Sequence, residues 1–214
     1  MVTAPESTST STATLNRLSV YLRCLQELLR AGTRTISSHA LAERFHLSSA
    51  QIRKDLAQFG EFGIRGVGYE IAPLAERLHH LLGLDRKRRL VIVGMGQLGT
   101  ALAGYIHFND ASFEVVAGFD NDPEKIGRKR RGVPVYSTDQ LERVIQETGA
   151  EIAVLTVPAT AAIECQEALA GAGVRAVLNF APVLLPERGS MRVKNVDLRT
   201  YLEEASFLLS APLP

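Results

Sequence analysis

Two hydrophobic patterns divide the chain. Before about residue 85, apolar side chains recur at helical spacing, which predicts a small helical domain. From Leu90 onward, short stretches of continuously apolar residues alternate with segments of helical spacing. Strands that are apolar along their whole length are typical of a parallel sheet covered by helices on both faces. The sequence therefore predicts an α/β protein whose second domain is a doubly wound parallel sheet.

The boundaries of the predicted elements follow from turn residues and apolar spacing. In the second half, strands are expected at residues 90–93, 113–119, 133–136, 152–157 and 176–180, with an edge strand at 193–196. Helices are expected at 100–106, 160–170 and 198–209, and one more is capped by Thr138 or Asp139 and ends near residue 148. Strands and helices alternate, as in a doubly wound sheet.

The most informative motif follows the first of these strands. Residues 94–99 read Gly-Met-Gly-Gln-Leu-Gly, the G-x-G-x-x-G pattern. Gly94 would permit the tight turn, Gly96 the approach of a pyrophosphate, and Gly99 close packing of helix on strand. The start of the helix would offer N–H groups to phosphates. The strand–turn–helix context favours dinucleotide binding over a plain structural corner. The cofactor residues predicted here are Gly94, Met95, Gly96, Gln97, Leu98 and Gly99.

An acidic residue stands where such a site needs one. Asp120 ends the second strand, about 20 residues after the glycines, where it would accept from the ribose hydroxyls and repel a 2′-phosphate. It favours NAD(H) over NADP(H), although it also begins a turn. Ligands lie beyond the carboxyl ends of parallel strands, which places two further segments near the nicotinamide half. These are Thr156, Val157 and Pro158, and Asn179, Phe180, Ala181 and Pro182.

The first half predicts four helices, the last of them at residues 73–84. The first carries one apolar face and ends at Gly32, and the second spans residues 38–45. Ser48 and Gln51 form a capping box that starts the third helix. The apolar face of the first helix consists of Leu15, Leu18, Leu22, Leu25, Leu28 and Leu29. Two helices joined by a tight turn, the second cationic at its start, are typical of a helix-turn-helix.

A glycine-rich segment follows at residues 59–71 and predicts a β-hairpin, the wing of a winged helix. Arg65 would lie near its tip, where an arginine can enter a narrow minor groove. The DNA-binding residues predicted on the third helix and the wing are Ser48, Ser49, Gln51, Arg53, Lys54, Arg65, Gly66 and Tyr69. A three-helix dimerisation or docking module with a solvated basic face is the alternative for this half.

The distribution of charge indicates that the two halves of the chain have different binding partners. Residues 1–89 carry 13 Lys and Arg and 8 Asp and Glu, whereas residues 90–214 carry 11 and 15. Only the first half is therefore expected to meet a polyanion. Cys24 and Cys165 have no metal or redox spacing and are expected to be reduced thiols. With no secretory signal and no apolar stretch long enough to span a bilayer, the chain is expected to be cytoplasmic, with neither metal nor membrane partner.

Six segments, in this order, resemble the Rex family of bacterial redox-sensing transcriptional repressors. They are Arg-Leu-Ser-Val-Tyr-Leu-Arg at 17–23, Ile-Arg-Lys-Asp-Leu at 52–56, Arg-Gly-Val-Gly-Tyr at 65–69, Val-Gly-Met-Gly-Gln-Leu-Gly at 93–99, Leu-Thr-Val-Pro at 155–158 and Asn-Phe-Ala-Pro at 179–182. Residues 1–14 are rich in Ser and Thr, are expected to be a disordered tail and lie outside the shared pattern. For the rest, the resemblance implies a winged-helix domain at 15–84, a Rossmann domain at 85–196 and a C-terminal helix at 197–214.

The resemblance also implies a mechanism. Such repressors are homodimers in which the C-terminal helix is exchanged and inserts between the domains of the partner. They bind palindromic operator DNA when NADH is scarce, bind NADH or NAD⁺ in the Rossmann domain, and release DNA when NADH rises. Arg23, Tyr105 and Asp197 match positions implicated in the switch. From the residues alone, Arg23 could equally be solvated, Tyr105 a core aromatic and Asp197 only a helix cap.

Two other functions remain open from the residues. A NAD-dependent dehydrogenase would need a proton donor near the nicotinamide; the nearest candidate, His107, has no evident carboxylate partner, and only about 30 residues follow the sheet. We therefore expect a regulator without catalytic residues. A regulatory domain that binds CoA or another nucleotide is the second alternative, since related Rossmann sheets carry CoA.

Overall fold

The computed structural model describes residues 11–60, 62–64, 66–105 and 112–210. The chain separates into two compact units, the first ending at Arg86 and the second beginning at Lys87. The predicted boundary, after Leu84, lies two residues earlier.

The first unit is a winged helix. Its elements are α1 (Thr12–Arg30), β1 (Thr35–Ile36), α2 (Ser38–Phe45), α3 (Ser49–Ala57), β2 (Gly63–Ile64), β3 (Gly68–Glu70) and α4 (Ile71–Leu81). Strand β3 lies between β1 and β2 and is antiparallel to both. A β2–β3 hairpin that follows helices α2 and α3 is the arrangement predicted from the capping and glycine patterns.

Helix α1 differs from the prediction in two respects. It begins at Thr12, before the predicted end of the tail at residue 14, because the Ser11 side chain accepts from the backbone N–H of Thr14 at 3.2 Å. The predicted apolar face is buried at its centre. Leu15 and Leu29 are nevertheless 41% and 38% exposed, so the buried part of the helix is shorter than its apolar face.

Helix α3 begins as predicted. The Ser48 hydroxyl accepts from the backbone N–H of Gln51 at 3.3 Å. The second half of the capping box is not formed, because the Gln51 side chain donates instead to the carboxylate of Asp55 at 2.7 Å. Gln51 is thus held against the helix surface by a residue one turn further along.

Asp55 fastens α3 to α1. Its side chain is 1% exposed and accepts from Arg17 through Nε at 2.5 Å and through Nη2 at 2.8 Å. The Tyr21 hydroxyl donates to the same carboxylate at 2.9 Å. The Arg17 guanidinium holds the pKa of Asp55 below its usual range. Burial, together with the hydrogen bond to Asp55, raises the pKa of Tyr21 to about 12.

The second unit is a Rossmann fold. Its elements are β4 (Arg88–Val93), α5 (Gln97–Gly104), β5 (Phe113–Asp120), β6 (Lys129–Arg130), β7 (Val133–Ser137), α6 (Leu141–Thr148), β8 (Ile152–Leu155), α7 (Ala159–Gly171), β9 (Ala176–Asn179), β10 (Arg192–Asn195) and α8 (Leu198–Ser210). The sheet order is β10-β9-β8-β4-β5-β7-β6, parallel except for the antiparallel pair β6–β7. The strand order reverses between β4 and β8, where ligands bind in such sheets.

Both faces of this sheet are covered. Alternate residues of β4 point to opposite sides, so that Val91 and Val93 join one buried cluster, whereas Leu90 and Ile92 join another. The predicted parallel sheet is confirmed, but the antiparallel β6–β7 pair was not predicted.

The start of α6 differs from the prediction that Thr138 or Asp139 caps it. Ser137 accepts from the N–H of Asp139 and begins a short 3-10 turn before the helix proper.

We expect Asp55→Asn to lower the free energy of unfolding by about 3 kcal/mol, since it leaves a partly buried arginine without its charge partner. The folded pKa of Asp55 is lowered. The contribution of the carboxylate is therefore present above about pH 4, where an unfolded aspartate is ionised, and is lost as the pH falls through the folded value. Urea unfolding of both proteins from about pH 3 to 7 measures this dependence.

The control for Asp55 is Glu27→Gln. Glu27 pairs with Arg44 at 3.8 Å with both side chains at least half exposed, which contributes about 0.5 kcal/mol or less. If Asp55→Asn is as stable as the wild type at neutral pH, Asp55 does not fasten the helices.

Candidate functional site

The glycine corner after β4 is packed against the end of β8. Gly94 has φ +96°, and a Cβ there would lie 2.8 Å from the carbonyl oxygen of Thr156. A Cβ on Gly99 would lie 2.0 Å from the carbonyl oxygen of Gly94. The Thr156 hydroxyl donates to that same carbonyl at 2.7 Å. Because three backbone segments meet without room for a side chain, the first and last glycines are needed for the shape of the corner.

Gly96 has a different role. Its backbone is extended, and a Cβ there would meet no atom within 4 Å. Gly96 is also the N-cap residue of α5 and supplies no side-chain cap to the helix. The open space beside Gly96 and the start of α5 are therefore suited to receive an anionic group.

A cavity of about 690 Å³ lies beyond β4, β5 and β8. Its walls combine the glycine corner with the strand ends that the sequence singled out, including Gly94, Gly96, Asp120, Thr156, Val157 and Pro158. Small-molecule sites have volumes of roughly 300–1,000 Å³, and this cavity falls within that range. The structure thus brings the glycines and the acidic residue together at one edge of the sheet.

Asp120 is both a turn residue and part of this cavity. It is 6% exposed; one carboxylate oxygen accepts from the N–H of Asp122 at 3.0 Å and the other from Nζ of Lys125 at 3.0 Å. The hydrogen bond to Asp120 raises the pKa of Lys125. Lys125 was not among the residues predicted from the sequence. The available signal was a lysine two residues beyond the Asp-Asn-Asp-Pro turn.

The two strand-end segments line separate cavities. The second cavity, of about 490 Å³, includes Leu98, Asn179, Phe180, Ala181 and Pro182, together with Asp197. The Asn179 amide donates to the carbonyl of Val183 and the side chain of Asn195, both at 2.8 Å. Asn179 therefore fixes the shape of this wall. The prediction that both segments lie together at the nicotinamide half is modified, since residues 156–158 share the cavity of Asp120.

The third helix presents the predicted cations. Arg53 and Lys54 are exposed, and Arg53 donates to the Ser38 hydroxyl at 2.9 Å. Ser48 is exposed as the helix cap, and Ser49 and Gln51 are half-buried. In the wing, Gly66 is exposed with φ +83°. Arg65 lies outside the described residues.

Tyr69 does not fit its predicted role in DNA contact. Its side chain is 8% exposed and belongs to the buried cluster of the first unit. It pairs with Ile36 and Gly63 across the three-stranded sheet, and burial raises the pKa of its hydroxyl. Tyr69 anchors the wing, because it is the middle residue of the three-residue strand β3 and its side chain points into the core.

The three predicted switch residues lie on different elements. Arg23 is exposed on α1, and Tyr105 is 54% exposed at the end of α5, so Tyr105 is not a core aromatic. The Asp197 carboxylate accepts from the N–H of Arg199 at 2.9 Å, which confirms its capping of α8. That helix exposes an apolar set, namely Leu198, Tyr201, Leu202, Phe207, Leu208 and Leu209.

Within residues 11–60, 62–64, 66–105 and 112–210, no helix is long and apolar enough to cross a membrane. The same ranges contain no group of three or more His, Cys, Asp or Glu residues suited to a metal ion. His107, the candidate proton donor of a dehydrogenase, falls outside them.

A winged helix followed by a Rossmann sheet with an open glycine corner defines a class of protein, the DNA-binding regulators with a nucleotide-binding domain. Two family models match accordingly. One, described as a putative DNA-binding protein N-terminus, covers residues 9–57. The other, described as a CoA binding domain, covers residues 85–183.

Comparison with individual proteins narrows the class. The chain is 45% identical to the redox-sensing transcriptional repressor Rex of Carboxydothermus hydrogenoformans, over 91% of this chain and 94% of that protein. It is also 45% identical to the Rex repressor of Thermus thermophilus, over 94% of both chains. The chain belongs to the Rex family of redox-sensing transcriptional repressors.

Solved structures of Rex-family repressors are similar to this chain along almost its whole length. The Rex-family repressor RSP in complex with β-NAD⁺ and operator DNA matches with a TM-score of 0.88 at 36% identity, over 94% of this chain and 93% of that one. RSP in complex with β-NADH matches with a TM-score of 0.83 at 34% identity, over 94% and 95%.

We expect Gly99→Ala to destabilise the second unit by about 3 kcal/mol, because its Cβ has no room against the Gly94 carbonyl. The matched control is Gly171→Ala at the end of α7, where a Cβ meets nothing within 4 Å. Thermal unfolding of the three proteins checks this. Equal melting temperatures for the two variants would show that the corner tolerates a side chain.

Proposed function

We propose that this chain is a homodimeric, cytoplasmic repressor that binds palindromic operator DNA, is released by NADH and so follows the NADH/NAD⁺ ratio. One observation carries the coenzyme assignment, namely the glycine corner, which leaves open space at Gly96 and converges with buried Asp120 on one cavity. Operator binding and release by NADH are supported by membership of the Rex family and by the RSP complexes with β-NAD⁺, β-NADH and operator DNA.

The coenzyme would lie across the edge of the sheet. Its pyrophosphate would meet Gly96 and the start of α5, and its adenosine ribose would donate to Asp120. Thr156, Val157 and Pro158 would close the cavity beside it, and the segment 179–182 would line the space for the nicotinamide. Met95 lies in the turn between Gly94 and Gly96, and Gln97 is the first residue of α5.

Preference for the reduced coenzyme has a physical cause. NAD⁺ carries a positive ring and NADH does not, and an unpaired charge is costly to enclose in an apolar pocket. A conformation that closes the nicotinamide pocket therefore favours NADH. If that conformation spaces the two DNA-binding units of the dimer wrongly for an operator, each ligand weakens the binding of the other by the same factor.

The switch would use the exposed helix α8. Its apolar side chains are exposed within one chain, and burial in the partner subunit of a homodimer would cover them. Arg23 of one subunit and Asp197 of the other would form a latch, with Tyr105 responding to the nicotinamide ring. The chain acts in this proposal as a regulator with no catalytic residues.

CoA is the second candidate ligand, since the family model that matches residues 85–183 describes a CoA binding domain. The two ligands differ at the ribose. Asp120 is suited to accept from both hydroxyls of a ribose diol, whereas CoA carries a 3′-phosphate in place of one of them and so lacks that donor. NADH is therefore preferred.

The direct test is a gel-shift titration of a palindromic operator with NADH, NAD⁺, NADPH and CoA in parallel, on the wild type and on Gly96→Ala. NADH is expected to release DNA at the lowest concentration. Gly96→Ala should fold and bind DNA normally, because its Cβ meets open space. It should need at least tenfold more NADH, because the methyl group occupies the place of the pyrophosphate. Release by CoA alone, or equal NADH response in both proteins, contradicts the assignment.

The DNA-binding surface is tested with Arg53→Ala and Lys54→Ala. Each removes one exposed cation of α3, and loss of a phosphate or base contact should weaken operator binding by roughly tenfold. NADH affinity should not change. Arg175→Ala, which removes an exposed cation of the second unit, is the control and should leave operator binding unchanged. Loss of NADH binding in the α3 variants would show that the two functions are assigned to the wrong units.

A further inference from the structure

A basic segment stands out in the otherwise acidic second unit. Five of the seven residues at 125–131 are lysine or arginine. The segment connects the turn after β5 with the β6–β7 hairpin, beside the helix that begins at the glycine corner. The coenzyme contacts proposed above use none of its arginines.

Three of these cations line a third cavity, of about 520 Å³. They are Lys125, Arg130 and Arg131, and they face the first turns of α5. The remaining lining residues are Met95, Gly96, Gln97, Thr100 and Ala101. No carboxylate is among the lining residues, so the cavity is cationic. The hydroxyl group of Thr100 and the side-chain amide of Gln97 belong to α5 and also line it.

The arginines are held in place. Arg131 has φ +52°, an uncommon conformation for a residue with a side chain. Its side-chain stem packs on Gly104, where a Cβ would lie 3.1 Å from the arginine Cγ and Cδ. The Nε atom of Arg130 is shielded from solvent and has no hydrogen-bond partner among the described residues. A buried N–H without a partner is unfavourable and marks a place for an acceptor.

Lys125 and Gly96 line both this cavity and the one that contains Asp120. Lys125 lies 3.0 Å from Asp120 and 3.3 Å from Asp122, so its charge offsets those carboxylates and reduces their repulsion of an anion nearby. The two cavities thus adjoin at the coenzyme's expected ribose and pyrophosphate.

We propose that this basic cavity binds a phosphate group beside the coenzyme. The proposal rests on the coenzyme site assigned above, because the two share a wall. Arginine guanidinium groups match phosphate oxygens with paired, charge-assisted hydrogen bonds, and Arg130 and Arg131 both line this cavity. The phosphate is either a free inorganic anion or a 2′-phosphate attached to the adenosine ribose.

The test uses the full chain in phosphate-free buffer at constant ionic strength, with the double variant Arg130→Gln, Arg131→Gln. Arg175→Gln is the matched control. Isothermal titration calorimetry measures inorganic pyrophosphate, NADPH and NADH binding to each protein. A free-anion site predicts that pyrophosphate binding weakens at least tenfold in the double variant only. A 2′-phosphate site predicts the same loss for NADPH. In either case NADH affinity should stay within about twofold.

The proposal is overturned if neither pyrophosphate nor NADPH distinguishes the double variant from the control. It is also overturned if NADH binding falls with the others, because the arginines would then belong to the coenzyme site itself. Arg131→Gln alone, at an exposed position, replaces the double variant should that protein unfold. Failure of the wild type to bind NADH would instead contradict the proposed function.

Discussion

The close fit of the β4–α5 corner against the end of β8 determines where everything else in the second unit can lie. Gly94, Gly99 and Thr156 meet backbone to backbone, and the Thr156 hydroxyl ties the corner to the neighbouring strand. This contact directs the start of α5 toward the point at which the strand order reverses. The start of α5 without a side-chain cap, the open space at Gly96 and the buried Asp120 therefore meet at one cavity. A dinucleotide matches them, because its pyrophosphate suits the helix start and the glycine and its ribose suits the carboxylate.

The first unit has a comparable fixed point. Asp55 joins α3, which carries the exposed cations, to α1, which carries Arg23. A buried carboxylate with an arginine, a tyrosine and a glutamine on it makes the two helices one rigid piece. We therefore expect a displacement of α1 to carry α3 with it. The proposed switch, which would change the spacing of the two DNA-binding units of a dimer, needs this stiffness.

Sequence features that involve only neighbouring residues predicted many of the helices, strands and turns of this protein. Continuous apolar strands, the glycine spacing and the Ser48 cap each depend on residues close in sequence, and each was found. What could not be predicted depends on distant contacts. Tyr69 resembles an exposed wing residue until β3 pairs with β1 and buries it. The Gln51 side chain donates to Asp55 and not to the N-terminus of its helix. The hydrogen bond from Lys125 to Asp120 depends on the conformation of the turn between them, which the sequence does not determine.

We propose that NADH and operator DNA bind antagonistic states of one dimer. The most direct measurement is the dissociation constant of NADH with and without saturating operator DNA, compared with that of the operator with and without saturating NADH. Each ligand is expected to weaken the binding of the other by the same factor, of at least about tenfold. An NADH affinity that is the same whether or not operator DNA is bound would contradict it.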